Sequence, residues 1–449
     1  MVRNLFRCIH IRCYQKWVQI PLFTVPEPDV IKNNKSAREN VSFVKSEICK
    51  LLEKGCVSDV DIVPEVVNPL TVAFNREGKA RLVLDCRHIN LHVFKFKFKL
   101  EDASIARNIF QAGDFVFTFD LKSAYHHLSI HDSQRKYLGF ACHFSGDDKI
   151  RYFVFNVLPF GISSASHIFT KLMRQVVMYL RTDGIKIVLY LDDGLGGANS
   201  YAAAKELSMK VRNDLVSLEF LIADEKCDWE PSHTAAWLGL CWNLATGTLR
   251  ISEARIDRLS TFLGQVITEV SKSAQVLIGA RRLAALAGQI ISMQIVFGTI
   301  ARLRTRYIFM TINSKESWSA PVLLNSNAFD EILYWKENSV RLNCTDIGVQ
   351  TQKSPKVNIY SDASHSGYGG YIADVTASDV IGTWSESESL ESSTCRELEA
   401  IRRVFNSLAF DLKGSTIKWC TDSQNAAKIL EIGSRKPKLQ NIASSIANV

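Results

Sequence analysis

Apolar positions along this chain repeat at helical spacing in some stretches and at strand spacing in others. In residues 41–54 (VSFVKSEICKLLEK), Val41, Val44, Ile48, Leu51 and Leu52 share one face of a helix. PLTVAFN and ARLVLD follow as short apolar runs around Glu77-Gly78, which predicts a hairpin. FKFKFK at 94–99 alternates with period two and predicts an edge strand, aromatic on one face and basic on the other. Its lysines read equally as solvated charges or as contacts to a phosphate backbone. DFVFTFDLKSAY (114–125) predicts a strand that ends at Asp120 and turns into a helix. Helices are expected over 162–181, where Ser163 and Ser164 are cap candidates, over 199–219 and over 252–270, with helical character continuing to about 310. AAWLGLCWNL (235–244) reads as a strand or hairpin. Residues 345–356 are polar and read as a linker, after which strand signals restart at VNIYSDAS.

One strand carries an unusual end. In IKIVLYLDDGLGG (185–197) a β-branched run delivers Asp192 and Asp193 side by side, and the glycines behind them predict a tight turn. Asp-Gly is ordinary hairpin chemistry and accounts for Asp193 alone. At about 4 Å two carboxylates repel by roughly 4 kcal/mol at an effective dielectric of about 20, so a cation is expected beside them. Asp120 ends another apolar strand, and adjacent strands in one sheet would gather all three acids. Hard oxygen ligands without His or Cys suit Mg²⁺, with Mn²⁺ as the alternative ion. Two such ions could clamp the attacking and leaving oxygens of a phosphoryl displacement.

Bulk properties narrow the classes. A length of 449 residues allows about three domains. A hydrophobic content of 47% with 22% charged residues is globular. The net charge of +8 suits a polyanionic partner without requiring one. The 11 cysteines include no CxxC pair and no Cys/His cluster at zinc spacing, which points to a reduced, intracellular protein, cytoplasmic or nuclear. The first 26 residues lack acids and carry Arg3, Arg7, Arg12 and Lys16, like a transit peptide. Pro21, Pro26 and the absence of serine there favour a start inside a longer polyprotein. Residues 283–301 form an uncharged 19-residue stretch long enough for a bilayer, but Gln289, Ser292 and Gln294 favour a buried helix. No membrane partner is expected.

Six blocks over about 160 residues resemble reverse transcriptases in that family's order: RLVLDCRHIN, FDLKSAY, NVLPFGISSASHIF, YLDD, DEKC and WLG. LPFG, LAALAGQIISMQIVFGTIARLRTRY and SESESLESSTCRELEAI are most similar to DIRS-type retrotransposons, with gypsy-type elements second. The resemblance implies an α+β right-hand polymerase: an extension over 1–40, fingers and palm over 41–243, and a helical thumb or connection over 244–350. It implies Asp120 and Asp192 as ligands of both Mg²⁺ ions, Asp193 in support, and the Leu121 carbonyl on one ion. Tyr125 would sit under the incoming sugar and exclude a 2′-hydroxyl. Arg81 and Arg76 would neutralise the triphosphate, Pro159, Phe160 and Gly161 would line the nucleotide, and Lys226 would protonate pyrophosphate. Trp237, Leu238 and Gly239 would hold the primer end. The implied partners are an RNA template, a DNA primer, the RNA–DNA hybrid, deoxynucleoside triphosphates and other modules of the same polyprotein.

A second set of acids follows. Asp362 lies in SDASHSGYGGYIA after the strand VNIY, Glu397 shares a helical side with Ile401, and Asp422 ends STIKWCTD. Acids on strand, helix and strand resemble the metal-binding core of ribonuclease H, expected over 355–449. Glu399 competes with Glu397 but is out of phase by about 200°. The family's fourth acid has no counterpart in LQNIASSIANV, so this α/β domain is expected to be C-terminally incomplete and poorly active. The rival reading of the whole chain is a decayed or domesticated fragment that binds nucleic acid without catalysis.

Overall fold

A computed structural model describes residues 18–75, 78–144, 149–271, 276–347, 357–373, 375–376 and 378–447. The chain divides into two compact units, Met1–Trp237 and Leu238–Val449.

The first unit is organised by a four-stranded antiparallel sheet in the order Asp228–Ser232, Phe115–Asp120, Asp193–Ala198, Lys186–Tyr190. Helices Ala165–Thr182 and Tyr201–Ser217 pack on this sheet. Phe117, Phe119, Leu172, Val176, Leu180, Val211 and Leu215 share one buried core. The helix Val41–Glu53 forms as its periodicity predicts, burying Val44 and Ile48, while Val41 is exposed at the first turn. Leu70–Phe74 and Ala80–Leu84 pair as the expected hairpin, from Leu70 opposite Leu84 to Phe74 opposite Ala80.

Two local expectations fail for physical reasons. FKFKFK forms no strand: among the described residues no strand pairs with it, and only its Phe94 N–H bonds a neighbouring backbone, at the Pro21 carbonyl. Its rings gather on a helix instead: Phe96 stacks on His167 at 4.3 Å and Phe98 meets the same ring edge-on at 5.3 Å. Gly194, Gly196 and Gly197 are not a turn either; they lie inside the strand Asp193–Ala198.

In the second unit, helices Glu253–Ser271, Ala280–Ser292, Gln294–Phe297, Ile300–Leu303, Arg306–Asn313 and Ser326–Asn338 follow one another. The apolar stretch 283–301 is broken after Ser292 and again at Gly298, whose φ is 70°. Among the described residues, no helix is long and apolar enough to cross a membrane. A second sheet has the order Val380–Thr383, Gly367–Ile372, Val357–Ala363, Ile417–Cys420, antiparallel except for its last pair. Helix Ser393–Leu412 covers one face of this sheet, with Val404, Leu408 and Leu412 packed on Ile359 and Ile372. Most of the expected linker, 348–356, lies outside the described residues.

The C-terminal helix Pro437–Ile446 joins these two parts of the second unit. Gln440 Nε2 donates to the Leu303 carbonyl at 2.9 Å, and the Tyr307 hydroxyl donates to Asn441 at 2.5 Å. Glu331 lies beneath, 3% exposed, and accepts the Tyr307 and Ile308 N–H groups at 3.1 and 2.9 Å. It therefore caps the helix Arg306–Asn313, whose first-turn donors have no partner within the helix. Burial outweighs those bonds and pushes the Glu331 carboxyl up to about 7. A carboxyl raised in the folded state adds stability that is full below its unfolded value and is lost as pH rises through 7. The melting temperature should therefore fall between about pH 4.5 and pH 7, and Glu331→Gln should lessen that fall; an equally steep fall in the variant would exclude Glu331 as its source.

Candidate active site

Strand register brings three acids to one end of the first sheet. Asp120 pairs directly with Asp193. Asp193 also stands opposite Tyr190, so Leu191 and Asp192 form a two-residue loop, and Leu191 takes a left-handed φ of 56°. A β-carbon makes that conformation costly by about 1 kcal/mol. The Leu121 N–H donates to the Asp192 carbonyl at 2.9 Å and ties the loop to the neighbouring strand. Leu121 itself is buried and bridges to Ile222.

The glycines beside the acids are required by close approach. Gly194 lies opposite Phe119 and Gly196 opposite Phe117. A β-carbon on Gly194 would stand 2.2 Å from the tip of the Phe119 ring, and one on Gly196 would stand 2.4 Å from Phe117. Phe119 stacks in turn on Trp229 at 5.6 Å.

Burial pushes the Asp193 carboxyl up to about 7, and the charges of Asp120 and Asp192 push it the same way. Lys226 and the Trp237 indole favour its charged form. Asp192 is raised too, by burial first and by Asp120. Lys226, in the turn Asp224–Lys226, places Nζ 3.0 and 3.2 Å from the two Asp120 oxygens. Cys227 accepts the Asp120 N–H at 3.2 Å and donates to the Ala223 carbonyl at 3.2 Å, pinning the strand end beneath the acid. Sequence reasoning passed over this cysteine.

The remaining expected residues are placed as follows. Tyr125 lies in the turn Ala124–His127, its ring 4.9 Å from Phe160. Pro159 is buried, while Phe160 is 43% exposed. Gly161 has a φ of 123°, and a β-carbon there would stand 2.3 Å from the Leu84 carbonyl at the end of the hairpin. Asn90 clamps this loop, donating to the Gly161 carbonyl at 2.8 Å and accepting the Ser163 N–H at 2.8 Å. Arg81 is exposed on its strand opposite Ala73. Arg76 lies outside the described residues. Trp237 is buried, and Leu238 and Gly239 follow it with left-handed φ values of 52° and 70°. Arg255 bonds both the Leu238 and Gly239 carbonyls at 3.3 Å, another contact absent from the sequence reading.

The second set of acids is drawn together more tightly. Asp362, Glu397 and Asp422 each offer an oxygen, all within 4.8 Å of one another, and among the described residues they are the one such triad. Asp362 and Asp422 line a cleft of about 970 Å³ together with Tyr360 and Tyr371. Glu397 is buried, its Oε2 has no hydrogen-bond partner among the described residues, and burial with the charges of Asp362 and Asp422 pushes it up to about 7. Glu399 turns away to pair with Arg402 and Arg403.

The first set of acids lies in a segment similar to a known family. The family model described as reverse transcriptase (RNA-dependent DNA polymerase) matches residues 31–241. That segment is similar to a reverse transcriptase domain. The chain is 24% identical over 229 residues to the Pol polyprotein of equine infectious anemia virus (isolate CL22), a match over 49% of this chain and 19% of that protein. It is 25% identical over 207 residues to the Transposon Tf2-3 polyprotein of Schizosaccharomyces pombe, over 45% of this chain and 14% of that protein. The matched stretch thus spans a fifth or less of the length of these relatives. The fold is similar to a foamy viral protease-reverse transcriptase solved with double-stranded DNA (TM-score 0.59, 16% identity, covering 100% of this chain and 77% of that one). A foamy viral protease-reverse transcriptase solved with an RNA/DNA hybrid matches with TM-score 0.57 and 14% identity, over 98% of this chain and 58% of that one.

The glycine–phenylalanine contacts generate a direct test. Gly194→Ala should destabilise the chain by about 2 kcal/mol, the range for overpacking a filled core. Phe119→Leu in the same chain should recover part of the loss in a denaturant titration. Equal stability of Gly194→Ala and the parent would show that the strands are not this close.

Proposed function

We propose that this chain is the polymerase segment of a retroelement polyprotein, extending a DNA primer on an RNA template with deoxynucleoside triphosphates. The observation that carries the reading is the registered Asp120–Asp193 pair with Asp192 in the adjoining loop, set in a reverse transcriptase domain. The donor set fits a hard divalent cation. It offers carboxylate oxygens and no imidazole, and the nearby Cys227 thiol is turned to backbone groups. Two of its acids are raised by burial and by Asp120, an excess of negative charge that a cation relieves.

Asp120 and Asp192 would hold the metal, Mg²⁺ by ligand hardness with Mn²⁺ as the alternative, with Asp193 in support and the Leu121 carbonyl completing the shell. When bound, such ions polarise the attacking and leaving oxygens of the phosphoryl transfer. Lys226, anchored on Asp120, would be the proton donor to departing pyrophosphate. Tyr125 and Phe160 would form the floor under the sugar and base, and Pro159 and Gly161 would set that loop against the hairpin. Arg81 and Arg76 would meet the triphosphate. Trp237, Leu238 and Gly239, the last two held by Arg255, would seat the primer end. The exposed Phe94 and Phe96, with Lys95, Lys97 and Lys99, suit a nucleic-acid backbone and its bases.

For the second unit, the reading is a thumb or connection over 244–350 and a ribonuclease H-like domain over 355–449. Asp362, Glu397 and Asp422 would be its metal ligands, and the convergence of their oxygens within 4.8 Å supports that assignment. Within retroelements, the sequence blocks favour a DIRS-like source over a gypsy-like one.

Primer extension on an RNA template tests the polymerase. Asp192→Asn should abolish nucleotide incorporation, by a factor of 10³ or more on the order expected for losing a metal-held charge in the transition state, while hybrid binding survives. Substantial incorporation by the variant would sink the metal assignment. If the parent chain binds hybrid and incorporates nothing, the domesticated-fragment reading takes its place. For the second triad, Mg²⁺ should raise the melting temperature of the parent more than that of Glu397→Gln. Equal rises would remove the second site.

A further inference from the structure

Tyr125 is held by two neighbouring rings and at its tip. Its ring packs on Phe160 at 4.9 Å and meets Phe169 edge-on at 5.7 Å. Its hydroxyl shares a hydrogen bond of 2.8 Å with Oγ of Ser166, in the first turn of helix Ala165–Thr182. The backbone beneath is constrained as well, since Ser123, two residues earlier, takes a left-handed φ of 58°. A tyrosine ring has two side-chain torsions, and a bond at its far end removes the freedom that packing on one side leaves. Phe160 is 43% exposed, so the Tyr125–Phe160 contact borders open space where a ligand could lie.

We propose that Ser166 is a positioning residue for sugar selection: its hydroxyl fixes the Tyr125 ring at the depth that leaves room for a 2′-hydrogen and none for a 2′-hydroxyl. This rests on the reading of Tyr125 as the group under the incoming sugar. Ser166 touches no substrate and acts through the ring. Without its bond the ring can tilt on Phe160 and Phe169, and the space it denies to a ribonucleotide opens intermittently.

The test compares kcat/KM for a deoxynucleotide and the matching ribonucleotide during primer extension by the full chain. Ser166→Ala should shift the ratio toward the ribonucleotide by about fivefold, the size of one lost hydrogen bond. Tyr125→Phe removes the same bond from the other side and should give a similar shift. The double variant should go no further, because both changes delete one interaction. Ser166→Thr keeps a hydroxyl and should restore the parental ratio. A structural role alone would lower both substrates together and leave the ratio fixed, which overturns the proposal. If Ser166→Ala does not fold, Tyr125→Phe decides, and a parental ratio in it is equally fatal. Tyr125→Ala separates the two layers. Lost selectivity there with none lost in Ser166→Ala keeps the gate and rejects the tether; unchanged selectivity in Tyr125→Ala rejects both.

Discussion

Like charges forced together by strand register are the constraint on which the first site depends. Pairing Asp193 with Asp120 fixes two carboxylates on adjacent strands, and the two-residue loop adds Asp192 to the same edge. Each pair repels, and partial burial raises the cost. Several features offset it. Lys226 sits on Asp120, Trp237 favours the charged form of Asp193, and backbone bonds from Leu121 and Ala223 hold the loop and the strand end. The strained Leu191 belongs to the same set, since its left-handed turn makes a loop this short. A site built against its own electrostatics is maintained by the sheet around it, where Phe117 and Phe119 fill the space left by Gly196 and Gly194.

The helices and most strands were legible because their periodicity is local. Val44 and Ile48, or Leu172, Val176 and Leu180, repeat at spacings that mean one thing in any context. The glycines were misread because glycine has two uses. A loop needs its backbone freedom, whereas this strand needs its missing side chain. The discriminating signal was present in two places at once: phenylalanine at 117 and 119 on one strand, and glycine at 194 and 196 on its partner. Either run alone is uninformative, and the register that joins them is not written in sequence. FKFKFK failed for a related reason, since an alternating pattern makes a strand only where another backbone accepts it.

The residues that sequence reasoning passed over share a geometry. Asn90 reaches a loop 71 positions away, Ser166 meets a ring 41 positions back, and Cys227 supports an acid 107 positions earlier. Each is a short polar side chain whose value comes wholly from its partner. Motifs revealed the groups that face a substrate, because those types are unusual where they stand. The groups that hold them in place are ordinary residues, visible only once the chain is folded.

The two sets of acids answer one electrostatic problem differently. Around Asp120 a lysine supplies positive charge, and the three acids stay spread along a strand end and a loop. Around Asp362 the acids converge within 4.8 Å, and burial together with the charges of Asp362 and Asp422 raises Glu397 to about 7. A cation at the first set would meet a seated ammonium and the raised Asp193 carboxyl, and at the second the raised Glu397 carboxyl, so binding at either would displace a proton, because a ligand must ionise to bind. At the first it would also compete for Asp120 with Lys226, which is 61% exposed and would move aside into water at little cost.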